Sequence, residues 1–193
     1  MSFWPAAVYT CMANLITFNL VTLDGFFEGP DHNIDWHNVD DEFNAFALEQ
    51  LDRLGGLMFG RVTYELMASY WPTASADDPV AERMNALPKF VASRTLRSVD
   101  WQNSRLLGSD LTDEIGALKQ ASDGDIAIFG SGKLIASLMP LGLIDVHGIM
   151  VNPVILGRGI PLFEGVHDRN ELTLIDARPF ASGNVLLRYR SRS

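Results

Sequence analysis

The sequence predicts an α/β domain with a mostly parallel sheet and an antiparallel edge. Three observations predict it. Short apolar runs alternate with stretches of helical period along most of the chain. In two places a strand-like run stops at glycine and passes directly into a helical pattern, at Gly60-Arg61 and at Gly130-Ser131-Gly132-Lys133. The C-terminal region carries two alternating runs around a turn, the pattern of a hairpin.

Residues 14–23 form the first expected strand, closed by Asp24-Gly25. One face would carry Ile16, Phe18 and Leu20, the other Leu15, Thr17, Asn19 and Val21. A polar pair on a buried strand either meets a ligand or pairs with neighbouring backbone. The loop around Trp36 reads as a substrate lid or as a plain surface loop. A helix follows over 41–54, with Phe43, Phe46, Ala47, Leu51 and Leu54 at helical spacing and Asp40, Asp41 and Glu42 in its first turn. Those acids suit the first turn, where negative charge is stabilising, and capping is the expected job of at least two of them.

A short buried strand over 57–60 leads into a helix over 61–70. A loop at 72–78, a short helix at 79–85 and a third strand at 89–93 come next, with a further small strand at 99–101. Asp110 caps a helix whose apolar face is Leu111, Ile115 and Leu118. The run 126–129 is the next strand, and the helix after it shows Leu134, Ile135, Leu138 and Met139 on one face before Pro140 and Gly142 stop it. Residues 144–151 are a strand, 152–163 a Gly- and Pro-rich loop, and 171–178 and 185–190 the hairpin strands.

The chain has 193 residues, one domain's worth, with 47% hydrophobic and 20% charged residues. Residues 1–12 read as an extension, and 13–193 as the domain. A net charge of −9 argues against nucleic acid or an anionic membrane as partner. The single cysteine excludes an internal disulfide, and the four histidines show no metal-ligand spacing, so no metal is expected. No signal peptide or spanning apolar run is present, so the expected compartment is the cytoplasm.

The glycine junctions either bind an anion or simply need tight turns. Walker A is absent, because Ala127 and Leu134 occupy its glycine and hydroxyl positions, and Ile135 replaces the third glycine of the long dinucleotide fingerprint. Three strand ends nevertheless carry phosphate chemistry in order: Gly60-Arg61, Ser93-Arg94 and Gly130 to Lys133. Glycine admits a ligand to the backbone, and arginine offers forked donors. A pyrophosphate with one extra phosphate, the pattern of NADPH, would use all three.

On these residues, together with Leu23-Asp24-Gly25-Phe26, Thr63, Glu65, Leu143 to Asp145 and Pro153 to Phe163, the chain resembles the dihydrofolate reductase-like fold, in its RibD C-terminal domain branch. The resemblance covers about 13–190. It implies a three-layer α/β fold, an NADPH-dependent reductase acting on a pterin- or pyrimidine-type small molecule, and a homodimer. It assigns the cofactor to Gly60, Arg61, Thr63, Ser93, Arg94, Gly130, Ser131, Gly132, Lys133 and Leu134, with Ser93 and Arg94 at the 2′-phosphate. It places Asn19, Asp24, Trp36 and Phe163 near the nicotinamide and substrate, and Asp41 as the candidate acid. Leu20, Phe27 and Trp36 would help exclude water. The rival expectations are a nucleotide-binding or regulatory module of the same fold with little catalysis, and a structural dimer whose glycines serve turns alone.

Overall fold

The computed structural model describes residues 12–75 and 77–192. Its elements, in chain order, are β1 (Leu15–Thr22), β2 (Phe26–Glu28), α1 (Asp41–Leu51), β3 (Leu54–Gly60), α2 (Arg61–Tyr70), α3 (Pro79–Ala86), β4 (Lys89–Ala92), β5 (Ser104–Leu106), α4 (Leu111–Ala121), β6 (Asp125–Phe129), α5 (Gly132–Leu138), β7 (Val146–Asn152), β8 (Ile160–Pro161), β9 (Leu172–Pro179) and β10 (Val185–Ser191). The main sheet has the order β5-β4-β3-β6-β1-β7-β10-β9. It is parallel from β5 to β7, and β10 and β9 complete it antiparallel. The expected α/β class, parallel body and C-terminal antiparallel hairpin are all present.

Period-2 alternation sends neighbouring side chains of each central strand to opposite helical layers. Met58, Leu15, Ile126 and Ile128 pack with Ile115 and Leu118 of α4 and Leu134, Ile135 and Leu138 of α5. Leu57, Phe59, Val91 and Ala127 pack on the other side with Leu51 of α1, Tyr64 of α2 and Met84 of α3. Removing such leucine and isoleucine side chains from water contributes roughly 1.5–3 kcal/mol each. Phe46 of α1 joins Met150, Phe180 and Leu186 over the β7–β10 side, which fixes α1 above the body of the sheet.

Several boundaries differ from the sequence reading for tertiary reasons. The first helix stops at Leu51, not 54, because Leu54 already pairs with Asp125 in β3. The small strand expected at 99–101 is not one. Trp101 is instead a buried plug, its N–H donating to the Tyr64 hydroxyl at 3.0 Å and its indole to Asn85 Oδ1 at 2.7 Å. The strand beside β4 is Ser104–Leu106. β7 begins at Val146 rather than 144. A two-stranded ribbon of β2 and β8 links the loop after β1 to the Gly- and Pro-rich segment, both of which read as irregular in sequence.

Candidate functional site

The strand order decides where the phosphate-type residues meet. β4, β3, β6 and β1 are consecutive neighbours and parallel, so their carboxyl ends form one row. That row carries Ser93-Arg94, Gly60-Arg61, Gly130 to Lys133, and Thr22 to Asp24. The connection after β3 leads to β4 on one side and that after β6 leads to β7 on the other, so the crevice at which open α/β sheets take ligands lies between β3 and β6.

The junctions of β3 with α2 and of β6 with α5 are tied by one hydroxyl. Ser131 Oγ accepts the Gly60 N–H at 2.8 Å and donates to Thr63 Oγ1 at 2.8 Å. Ser131 sits at φ 61, ψ 56, left-handed backbone that is costly for a non-glycine residue, and Gly130 before it has φ 61. A Cβ at Gly60 would stand 2.9 Å from Ser131 Oγ and would push this clasp aside. Phe27 of β2 reaches over this turn, close to Gly130 and beside Thr63.

The three cations of the row lie at its rim. Arg61 is exposed and pairs with Glu65 one helical turn on, at 2.9 Å. Lys133 and Arg94 are exposed, and among the described residues neither joins an ion pair. Ser93 Oγ accepts the N–H groups of Thr95 and Leu96 at 3.2 and 3.0 Å, so it shapes the turn that presents Arg94. Leu134, assigned to the cofactor by resemblance, is 8% exposed and belongs to the α5 core. Its side chain is packing, and only its backbone can face the crevice.

Around the end of β1 the assignments separate. Asp24 spends its carboxylate on its own loop, accepting from Thr22 Oγ1 at 2.6 Å, Gly157 N–H at 2.7 Å and Leu156 N–H at 3.2 Å. The Thr22 bond leads the causes that hold it below the usual carboxylate range. It therefore braces the 153–159 loop instead of offering an acid to a ligand. Asn19 is 2% exposed, and neither amide atom has a hydrogen-bond partner. Phe18 and Leu20, its neighbours on β1, face α1, where Phe18 lies 5.9 Å from the Phe46 ring.

Trp36 is half-buried with an unpaired indole N–H, edge-on to His37 at 4.5 Å. Burial pushes the His37 pKa down. The next residue, Asn38, donates its N–H to Asn152 Oδ1 at 2.9 Å and accepts from Asn184 Nδ2 at 2.7 Å. These bonds, which no local pattern announces, fasten the loop to the end of β7 and to the hairpin. Phe163 leaves this region. Leu162 is buried against Gly132, the segment runs on along α5 past Ala136, and Phe163 ends edge-on to His147 at 6.4 Å, beside the early half of β7.

The three acids of α1 also divide. Asp40 is the cap, accepting the Phe43 N–H at 2.8 Å, and Glu42 accepts the Ala181 N–H at 2.8 Å. Asp41 is exposed, with no hydrogen bond or ion pair among the described residues.

With this geometry in hand, comparison with known proteins is specific. The profile of the RibD C-terminal domain family matches residues 13–186. The uncharacterized protein YyaP of Bacillus subtilis (strain 168) is 32% identical over 174 residues, 88% of this chain and 90% of its own length. A solved structure from Shewanella sp. PV-4, provisionally assigned as a riboflavin biosynthesis protein, superposes with TM-score 0.72 at 25% identity, covering 94% of this chain and all of that one. The Thermotoga maritima diaminohydroxyphosphoribosylaminopyrimidine deaminase/5-amino-6-(5-phosphoribosylamino)uracil reductase shares the fold at TM-score 0.68 and 14% identity, over 94% of this chain and 57% of that one.

Proposed function

The chain belongs to the RibD C-terminal domain family, and we propose from that premise that it is an NADPH-dependent reductase of a pyrimidine- or pterin-type small molecule. The observation that carries the reading is the row of strand ends β4-β3-β6-β1, with two glycine junctions clasped by Ser131 and three cations at its rim. We place a diphosphate at the Gly130 to Lys133 turn, where Gly130 and Gly132 carry no side chain; the Gly60 N–H is already taken by Ser131 Oγ, so that junction contributes shape and holds the turn in place. A further phosphate fits Arg94, an exposed guanidinium at the outermost of these strand ends.

When bound, the cofactor supplies a hydride; the chain's part is to hold, orient and exclude water. Thr63 and Ser131 fix the two junctions relative to one another. Phe18 and Leu20 on β1, with Phe43 and Phe46 on α1, form an apolar wall on the α1 side of the crevice. Phe27 covers the glycine turn from above. Asp41 is the one acid of the α1 first turn not already committed, and it is the residue we assign to proton supply. Asp41→Asn should then lower kcat and leave cofactor affinity unchanged.

The chain also fits a homodimer. β9 is an edge strand exposing Leu174 and Ile175, at 53% and 46%, and such an edge favours a second copy. Sedimentation at micromolar concentration should give twice the monomer mass.

The deciding experiment is titration of the wild type and Arg94→Ala with NADPH and NADH. Loss of one charge-assisted phosphate contact should weaken NADPH about 10- to 100-fold and leave NADH within about twofold. If neither cofactor binds the wild type, the reductase reading falls and the junctions are plain turns.

A further inference from the structure

We propose that the cavity at the foot of β7, β10 and β9 is a second binding site, for a small organic monocarboxylate with an apolar body. It lies apart from the row of strand ends that carries the reductase reading, and it stands whether or not that reading holds. β7 runs parallel to β1 from Val146 opposite Ile16, so its start lies at the amino ends of the parallel strands, the far end of the sheet from the crevice. There the turn after α5, the starts of β7 and β9 and the end of β10 leave a cavity of about 390 Å³, within the range that small-molecule sites occupy.

Met139, Ile144 and Leu172 give this cavity apolar walls, and His147 and Ser191 also line it. His147 is only 2% exposed. The Ser191 hydroxyl donates its one proton to the Ile144 carbonyl at 2.8 Å, so towards His147 Nε2, 3.3 Å away, it can only accept. Nε2 therefore carries the ring proton, and Nδ1 is left as an acceptor without a partner. Burial also pushes the His147 pKa down, which keeps the imidazole neutral. Buried polar groups are seldom left unmet, and an apolar side chain would line a merely structural gap at lower cost.

The charge of the site comes from Arg169, Glu171 and Arg192, which line it too. Glu171 pairs closely with Arg169 but stands 3.7 Å from Arg192 Nη1, beyond hydrogen-bond length. Arg192 is anchored elsewhere: its backbone N–H donates to the Glu171 carbonyl at 3.0 Å and its Nε to Thr173 Oγ1 at 2.9 Å. Among the described residues its two outer nitrogens make no hydrogen bond, which leaves a fixed fork suited to a planar anion. Two guanidinium groups and one carboxylate leave one positive charge here, in a chain whose net charge is −9. His147 is neutral and adds none, and the neighbouring Lys119–Asp145 pair cancels itself. One carboxylate balances that charge. A phosphate dianion would put excess negative charge beside Glu171, and a neutral ligand would leave the fork unmet. The apolar walls take the body of the ligand.

The test is a set of proton NMR titrations of the full chain, which read affinity and location together. The probes are 3-phenylpropionate, its neutral counterpart 3-phenylpropanol, and phenyl phosphate. The wild type should bind 3-phenylpropionate with a Kd of about 1 mM or tighter, and at least about tenfold more tightly than the other two. The carboxylate should also shift the His147 ring C2 proton resonance. Arg192→Gln changes a side chain that is 59% exposed, so it should melt at the wild-type temperature. It should lose about tenfold or more in affinity for the carboxylate. Arg158→Gln, outside the cavity, should bind as the wild type does. No saturation by about 10 mM carboxylate, or a variant at Arg192 that binds as tightly as the wild type, overturns the proposal. If Arg192→Gln does not fold, the wild type decides. Alcohol or dianion bound as tightly as the carboxylate, or a His147 resonance that stays in place at saturation, then overturns it.

Discussion

Ser131 is where stability and binding can be separated by two substitutions at one atom. Its hydroxyl makes two bonds of 2.8 Å, and its backbone is left-handed. Ser131→Ala removes both bonds and leaves the half-buried Gly60 N–H unmet. At about 1 kcal/mol for a net bond and about 1–3 kcal/mol for a stranded donor, the loss should be about 2–3 kcal/mol. Ser131→Gly removes the same bonds but escapes the left-handed penalty, of order 1–2 kcal/mol for a residue with a Cβ, partly offset by glycine's greater freedom when unfolded. It should lose only about 1–2 kcal/mol. Urea unfolding read by tryptophan fluorescence should therefore order the proteins wild type, Gly variant, Ala variant. NADPH affinity should fall in both variants to a similar degree, because both sever the clasp between the junctions. An Ala variant as stable as the Gly variant would refute the strain argument, and one as stable as the wild type would refute the clasp as well.

Lys89 and Asp24 give two further tests. Lys89 is fully buried without a carboxylate, its ammonium donating to the carbonyls of Asn85 and Leu87 at 2.9 and 2.7 Å and lying 4.5 Å from the Trp101 ring centre; burial depresses its pKa to about 8. Between about pH 8 and 10.5 the unfolded chain then holds a proton the folded one has released, so stability rises with pH through that window. Relative to Lys89→Met, the wild type should gain about 2–3 kcal/mol from pH 7.5 to 10, and a pH-independent difference in urea unfolding would show that the carbonyls keep the ammonium charged. Asp24→Ala should free the amides of Leu156 and Gly157 and speed tryptic cleavage after the exposed Arg158 several-fold; an unchanged rate would mean the loop is held by other contacts.

The fold was legible wherever local period and tertiary demand coincide. The junction of β3 with α2 and that of β6 with α5 read correctly because an apolar strand, a glycine and an amphipathic helix are all local signals. The failures occurred where distant partners decide. Leu54 carries a helical spacing but is taken by Asp125, and Trp101 resembles a strand end but is held by Asn85 and Tyr64. The two short strands of the β2–β8 ribbon each need the other, across more than 130 residues of chain, to exist at all.

The site shows the same division more sharply. Phosphate-type residues announce themselves by type, and the strand order then brought Gly60, Arg61, Ser93, Arg94 and the Gly130 to Lys133 turn into one row. Asp24 and Phe163 also had suitable chemistry and adjacency in sequence, but a carboxylate is available only if backbone donors have not already filled it, and an aromatic ring lines a site only if its neighbours leave it there. Leu156, Gly157 and Thr22 claim the first, and the buried Leu162 draws the second down along α5. Asn19 is the converse case. In sequence it is one polar residue on a mixed strand face, equally suited to a backbone partner. Only the folded arrangement shows that no partner comes, and that the residue stands where β6 turns away from β1. Whether a polar residue of this chain is committed to bracing is therefore set by how much of its hydrogen-bonding capacity the protein itself has already used.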